Sequence, residues 1–405
     1  MVADAFESHS PGAVLLQDQT VLAAGSPESI GQPSEASLVH CPGELVYPAF
    51  VNAHCHLDLS DLSTIQERSF GPWLTEVIRH RMRQEAPGAV EKAVSLGLER
   101  SIAGGTFAVG DICGSKRAFA ALCQSKLQGV AFLEFLGHGS RSEPAIEAIH
   151  AWVAEIARTG MPDGSELQPG LSPHAPYSTS ESLYDAAKHT GLPISTHLAE
   201  SLEELEWCRA RSGFFAELND RMGVEPHAGP ACGQHSVEGY VDLLPLHGAL
   251  AVHLNYIESH HLERLKRSGV TVVYCPRASA FFGHPHEGRP DHAWRSMRAA
   301  GIPVALGTDG RPCLPSEGVA GDRLSVLDDV LHLQRTCGIT LDEWLPMATL
   351  DGARALGLPD ELVSLKSGAT PGILALKLSP GKVHQLDADS AIRWLSDPPP
   401  GITDA

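Results

Sequence analysis

Eight short apolar runs, each opened by a glycine or a proline and separated by stretches long enough for a helix, recur through the middle of this chain. They are Pro48–Ala53, Gly105–Asp111, Gly129–Leu136, Pro169–His174, Pro193–His197, Gly248–His253, Gly269–Tyr274 and Gly301–Asp309. Strands that alternate with helices predict a parallel sheet, and about eight such units across roughly 300 residues match the size of a (β/α)₈ TIM barrel. Between the runs, Ala89–Ala103 repeats apolar positions at helical spacing, Ser180 stands where a helix cap belongs, and Leu324–Leu333 continues the pattern. An open doubly wound sheet is the alternative, but the Gly-x-Gly-x-x-Gly turn that would follow its first strand is absent.

The ends of the chain have a different texture. Residues 1–47 hold β-like runs (Ala13–Gln17, Thr20–Ala24, Ser37–His40) broken by Gly, Pro and Ser, too few to bury a core alone. Gly368–Leu378 supplies a similar run near the other end, so the two termini are expected to pair in one small β-sandwich, residues 1–47 with 360–405, beside a barrel over 48–359. The Pro-rich stretch from Asp397 is expected to fray. A chain of 405 residues with 43% hydrophobic content can bury a substantial core.

Acidic residues outnumber basic ones by 49 to 30, a formal charge of −19 that disfavours a polyanion-binding surface. No basic n-region precedes an apolar core at the start and no run is long enough to span a bilayer, which makes the cytoplasm the expected compartment. Nine cysteines scattered without a C-x-x-C pair read as reduced thiols, mostly buried. The expected partner is a small-molecule substrate, with neither nucleic-acid polymer nor membrane, and a homodimer is left open.

Function enters through what stands at the strand ends. His54 and His56 leave the first strand on one face; His174, His197 and His253 end the fourth, fifth and sixth; Asp309 ends the eighth. In a barrel these ends share one mouth, where imidazoles and a carboxylate can hold a metal ion. Glu200, three residues beyond His197, puts a carboxyl at the lip of the same pocket as a proton shuttle; its alternative is the first-turn acid of the following helix, the role assigned to Glu203, Glu204 and Glu206.

These segments resemble the amidohydrolase superfamily, in its mononuclear deaminase and chlorohydrolase branch, nearest to aminofutalosine and adenosine-type deaminases. The matching stretches are Pro48–Leu57, Pro173–Ser178, Thr196–Ser201, Val252–Asn255, Tyr274–Arg277, Leu306–Asp309 and Met347–Leu358. The resemblance implies His54, His56, His197 and Asp309 as ligands of one divalent metal, zinc first and iron second, because no bridging lysine ends strand four. It implies catalysis by Glu200, His253 and Asp309: Asp309 takes a proton from the attacking water, His253 orients it, and Glu200 protonates the substrate ring. Trp73, Glu134, His174 and Arg277 are the expected substrate contacts, although Trp73 also suits a core position and Glu134 and Arg277 also suit structural ion pairs.

The expected reaction is hydrolytic deamination of an aminated purine, an adenine nucleoside such as aminofutalosine or an adenosine derivative. Guanine, cytosine or pterin deamination, triazine dechlorination, another amidohydrolase reaction and a non-catalytic metal-binding relative are the alternatives. Two departures from the family pattern bear on substrate: Gly310 follows Asp309 where a serine is usual, and the span from His197 to His253 is long, with 226–233 read as an inserted loop.

Overall fold

The computed structural model describes the chain except residues 32, 226–228, 230, 287–290, 315–322, 381–384, 388–390 and 398–405. The proline-rich end beyond Asp397 therefore lies outside the described residues. The centre is a ring of eight parallel strands: β1 (Phe50–His56), β2 (Thr106–Cys113), β3 (Gln128–Phe135), β4 (Leu167–Pro173), β5 (Ile194–Leu198), β6 (Ala249–His253), β7 (Thr271–Tyr274) and β8 (Val304–Leu306 with Asp309–Gly310). Each pairs with the next, the first half of β8 pairs with β7, and its second half pairs with β1, so the sheet closes on itself. The strands are nearly all buried along their whole length, which is why they read as continuous apolar runs and not as alternating ones.

The break in β8 makes the closing seam specific. Gly307 donates to the Tyr274 carbonyl (3.0 Å) and Thr308 to the His54 carbonyl (3.0 Å), one to each neighbouring strand. The Asn52 side chain brackets Thr308, donating to its hydroxyl at 2.8 Å and accepting its amide at 3.0 Å. A Cβ on Gly307 would come within 2.9 Å of the Cβ and carbonyl of His54, so this close approach of two strands requires glycine.

The helices that shape the mouth are α1 (Phe70–Arg83), α2 (Leu202–Ala210), α3 (Phe214–Arg221) and α4 (Ser236–Tyr240). Ala89–Ala103 and Glu181–His189 are helical as their spacing predicts, with Ser180 at the N-cap. The third expected helix forms at Val326–Cys337, two residues later than read.

Both termini do meet in one sheet, ordered Arg393–Trp394, Ile373–Lys377, Glu44–Pro48, Val2–Ala3, Ser8–His9. The hairpin Ala13–Gln17/Thr20–Gly25 packs against it through Val14, Leu16 and Val21 on Val46, Ile373 and Ala375, a small core separate from that of the barrel. Ser37–His40 is not a strand: Leu38 and Val39 are exposed, and the pairing role falls to Glu44–Pro48, which takes Pro48 out of the barrel. Among the described residues no helix is long and apolar enough to cross a membrane.

Candidate active site

The strand ends converge as the sequence requires. His54, His56, His197, His253 and Asp309 are all buried at one end of the ring, with His54 Nε2 3.7 Å and His56 Nε2 3.5 Å from Asp309 Oδ1. His197 Nδ1 donates to the His174 carbonyl at 2.9 Å, which fixes the tautomer and leaves its Nε2 lone pair facing His56 Nε2 at 3.3 Å. Burial holds the pKa of His56, His197 and His253 well below the ordinary imidazole value, so these rings are neutral. Burial also opposes ionisation of Asp309, but His54, His253 and His56 around it outweigh that cost and keep its carboxyl well below the usual range.

Neutral imidazole nitrogens facing one another without a proton donor are an expensive arrangement unless a cation lies between them. Both nitrogens of His54, Nδ1 of His56 and Nε2 of His253 are buried without hydrogen-bond partners. The donor atoms of His54, His56 and Asp309, and those of His54, His197 and His253, lie within 4.8 Å of one another. Three nitrogens and an oxygen on rigid strand ends fit a divalent transition metal.

Backbone strain concentrates in the same place. Ala199 (φ 50°), His253 (φ 74°), Leu254 (φ 50°) and Asp309 (φ 61°) account for four of the six left-handed non-glycine residues among those described. Such residues cost about 1–3 kcal/mol each and persist where surrounding contacts over-determine them. For the turn after β5 those contacts are visible: Glu204 accepts the amides of Ala199 (2.7 Å) and Glu200 (3.1 Å), and Asn255 Nδ2 donates to the Glu200 carbonyl (3.0 Å). Glu204 is therefore more than the opening acid of α2; it clamps the turn that aims Glu200, a role the acidic run Glu203–Glu206 did not reveal. Glu200 Oε1 lies 3.4 Å from His253 Nε2, and burial, reinforced by Asp309, pushes its carboxyl well above the ordinary range.

A cavity of about 480 Å³ opens from this cluster, within the roughly 300–1,000 Å³ usual for ligand sites. His174, Glu134 and Trp73 all line it. Trp73 does so with its ring packed on Phe282 and its Nε1 donating to the Pro312 carbonyl (3.3 Å), so it is core and wall together. Arg277 is the exception. It is not among the lining residues: its Nε donates to Asp329 Oδ2 (3.0 Å) and its Nη2 to the Ser325 carbonyl (3.2 Å), so the structure gives it the ion-pair position instead. Two other arginines, Arg81 and Arg141, do line the cavity, and Arg81 of α1 is held by Asp58 at 2.8 and 3.4 Å. Only its place in α1 brings it there, and an arginine in the last turn of an amphipathic helix carries no distinguishing signal.

The two departures from the family pattern have structural answers. Where serine is missing, the Gly310 amide donates to Asp309 Oδ1 (2.8 Å) and the Cys313 thiol lies 3.3 Å from Oδ2. The long span after β5 is built largely of α2, α3 and α4, and α3 forms a wall of the cavity through Phe215, Leu218 and Asn219. Residues 226–228 and 230 of the expected inserted loop lie outside the described residues; Cys232 and Gly233 turn back to Gly229 and Cys208.

The model of the amidohydrolase family matches residues 45–398. An aminodeoxyfutalosine deaminase of Deinococcus radiodurans is 32% identical over 339 residues, 80% of this chain and 76% of its own length. Among solved structures, the aminofutalosine deaminase of Helicobacter pylori in complex with methylthio-coformycin superposes with a TM-score of 0.73 at 23% identity, covering 93% of this chain and 89% of that one. An adenosine deaminase from Xanthomonas campestris with bound zinc gives 0.70 at 18% identity, covering 98% and 90%.

Proposed function

Because the chain belongs to the amidohydrolase family, we propose that it is a metal-dependent hydrolase that removes the exocyclic amine of an adenine nucleoside with a large 5′ substituent, such as aminofutalosine or another adenosine derivative. The observation that carries this reading is Glu200, a buried carboxyl beside His253 and Asp309 at the closed end of an apolar cavity. An amidine-type ring carbon needs a proton on its ring nitrogen before water can add, and a carboxyl kept protonated by burial supplies that proton. The open end agrees with a large substituent: Met82, Leu136 and Met222, three of the eight exposed large hydrophobic side chains among the described residues, rim the mouth. Relatives named for aminodeoxyfutalosine and adenosine support the purine.

His54, His56, His197 and Asp309 would hold the ion, and zinc is proposed because this donor set suits it and a protein of like fold carries it. When bound, the ion would lower the pKa of water at the site towards neutrality. The residues do the rest. Asp309 accepts the proton of the attacking water; His253, neutral, orients that water through Nε2; Glu200 delivers its proton to the ring nitrogen as the carbon–oxygen bond forms. Ammonia then leaves with a proton returned through the same groups, and the carbon–nitrogen bond breaks.

Ammonia release from adenosine, 5′-methylthioadenosine, aminodeoxyfutalosine, guanine, cytosine, a pterin and a chlorinated triazine, with chloride followed for the last, tests the reading. An adenine nucleoside is expected to be turned over best. Glu200→Gln should lower turnover by roughly a hundredfold or more, with about one metal ion per chain retained. Turnover of guanine, cytosine or a triazine alone would remove the nucleoside assignment, and Glu200→Gln at full activity would return Glu200 to a capping role.

A further inference from the structure

The turn after β6 is strained like the one after β5, and a side chain from a different element braces it. His253 and Leu254 are consecutive left-handed residues, and the register of β6 with β7 ends at Val252–Val273, one residue before them. The peptide unit that joins His253 to Leu254 is planar, so holding its two polar ends fixes the backbone on the C-terminal side of His253. Its N–H donates to the Leu198 carbonyl at 3.0 Å, which ties the turn to the end of β5. Its C=O lies 2.8 Å from Nε2 of His292.

The surroundings of His292 leave that nitrogen one role. The Trp294 amide donates to Nδ1 at 3.2 Å, and an N–H can donate only to a ring nitrogen that carries no proton. The proton is therefore on Nε2, which donates to the His253 carbonyl. The ring is buried and lies flat on Tyr274, the last residue of β7, with centroids 3.7 Å apart and planes within 9°. With one nitrogen on the start of the helix Trp294–Ala299 and its face on a strand end, the imidazole is oriented before any ligand arrives. What it braces is the backbone of a residue whose own Nε2 is buried without a partner, 3.4 Å from Glu200 Oε1.

We propose that His292 is a positioning residue: by holding the His253 carbonyl it keeps the His253 ring where Nε2 can orient the attacking water beside Glu200. The proposal rests on the role given to His253 above and extends the working site to a side chain that does not line the cavity. His292 acts through the peptide unit, so its loss should be felt in the rate of the chemical step and not in the binding of substrate.

Three variants separate the two bonds of the ring. His292→Gln can set an amide nitrogen where Nε2 stands and gives up the bond to Trp294. His292→Asn can set an oxygen where Nδ1 stands, which keeps the bond to Trp294 and gives up the donor to His253. His292→Phe keeps the ring on Tyr274 and loses both bonds. Kinetics use whichever compound wild type turns over best, so that the outcome does not hang on the nucleoside assignment, with metal content and melting temperature recorded. In His292→Asn and His292→Phe kcat is expected to fall about ten- to a hundredfold with KM within about threefold, while His292→Gln recovers to within about fivefold of wild type. In the metal-loaded proteins the Leu254 amide should exchange about tenfold faster in the first two variants and at close to the wild-type rate in the third. Turnover that follows the Trp294 bond, high in His292→Asn and low in His292→Gln, would reduce His292 to a helix cap. Equal turnover in all three variants, losses of kcat that track melting temperature, or loss of the metal from His292→Asn would each overturn the proposal while the deaminase reading stands. If wild type turns over none of the compounds, the deaminase reading fails and the Leu254 amide decides alone: faster exchange in His292→Asn but not in His292→Gln upholds the hold on His253, and any other pattern ends it.

Discussion

Asp309 sits in a left-handed backbone conformation with Gly310 and Cys313 on its two carboxylate oxygens. A thiol is a weak donor, so Cys313 should tune Asp309, a proposed metal ligand, less firmly than a hydroxyl would. Cys313→Ala is expected to weaken metal affinity about tenfold, as outer hydrogen-bond partners commonly do, and Cys313→Ser to hold or tighten it. Competition against a chelator of known affinity reads this, and equal affinity in the alanine variant would show that the Gly310 amide alone sets the carboxylate. Gly310 itself has an ordinary φ of −88° and room for a Cβ, whose nearest neighbour would be Pro312 Cδ at 3.4 Å. Gly310→Ser is therefore expected to fold normally, costing no more than about 1 kcal/mol, roughly 4 °C in melting temperature. At this scale the sequence was legible wherever a residue's position along a strand fixed its direction: His54 and His56 at spacing two, His197, His253 and Asp309 at strand ends. It was illegible where direction depended on a partner far away. Arg277 follows a strand end, yet Asp329 captures it; Arg81 and Cys313 reach the site only through the packing of α1 and the turn after β8.

Elements were legible by their punctuation. Glycine or proline before each apolar run marked where the chain re-enters the ring, and the register followed because a slip would expose a strand that is buried on both sides. The span between β5 and β6 resisted, since α3 buries its apolar face partly on a cavity and a cavity leaves no period of its own: Phe215 stacks on Tyr177 at 3.7 Å while also lining the pocket. Its last helix, α4, carries an unusual cap. His235 Nδ1 accepts the Val237 amide (3.2 Å) while the His235 amide donates to Glu238 (3.1 Å). The cap works only with a neutral ring, and burial, then the nearby charges of His261 and Arg209, hold the His235 pKa down to about 3, with Glu238 pulling the other way and His260 adding to the depression. A folded pKa below the unfolded value of about 6.5 means stability that is complete above pH 6.5 and lost as pH falls below it towards 3. Amide protection over Val237–Tyr240, corrected for intrinsic exchange, should therefore decline below about pH 6.5, and His235→Asn, a good neutral cap, should flatten that decline. Identical slopes in the two proteins would move the acid sensitivity elsewhere.

At the scale of the molecule, the candidate ligands are not spread evenly around the barrel. His54 and His56 come from β1 and Asp309 from β8, the two strands whose pairing closes the ring, and that pairing is only Asp309–Cys55 and Gly310–His56, helped by Asn52 on Thr308. This ladder of two residue pairs, interrupted at Gly307, is shorter than those that join β2 to β3 and β3 to β4. An ion held from both sides would thus act as a clasp on the seam as well as a reagent. Metal at a hundred times its dissociation constant adds about 2.7 kcal/mol to the folded state. For a chain this large that corresponds to roughly 4 °C or more in Tm. Stripping the metal with a chelator should lower Tm by about that amount, and zinc should restore it. The change should also have an address: amide protection at Thr308 and Gly310 and along the end of β1 is expected to fall well before that of β2 and β3, whose ladder contains no proposed ligand. Loss spread uniformly around the barrel, or a Tm indifferent to chelation, would mean that the seam is held by Asn52 and its neighbours alone and that the histidines answer to chemistry without supporting the fold.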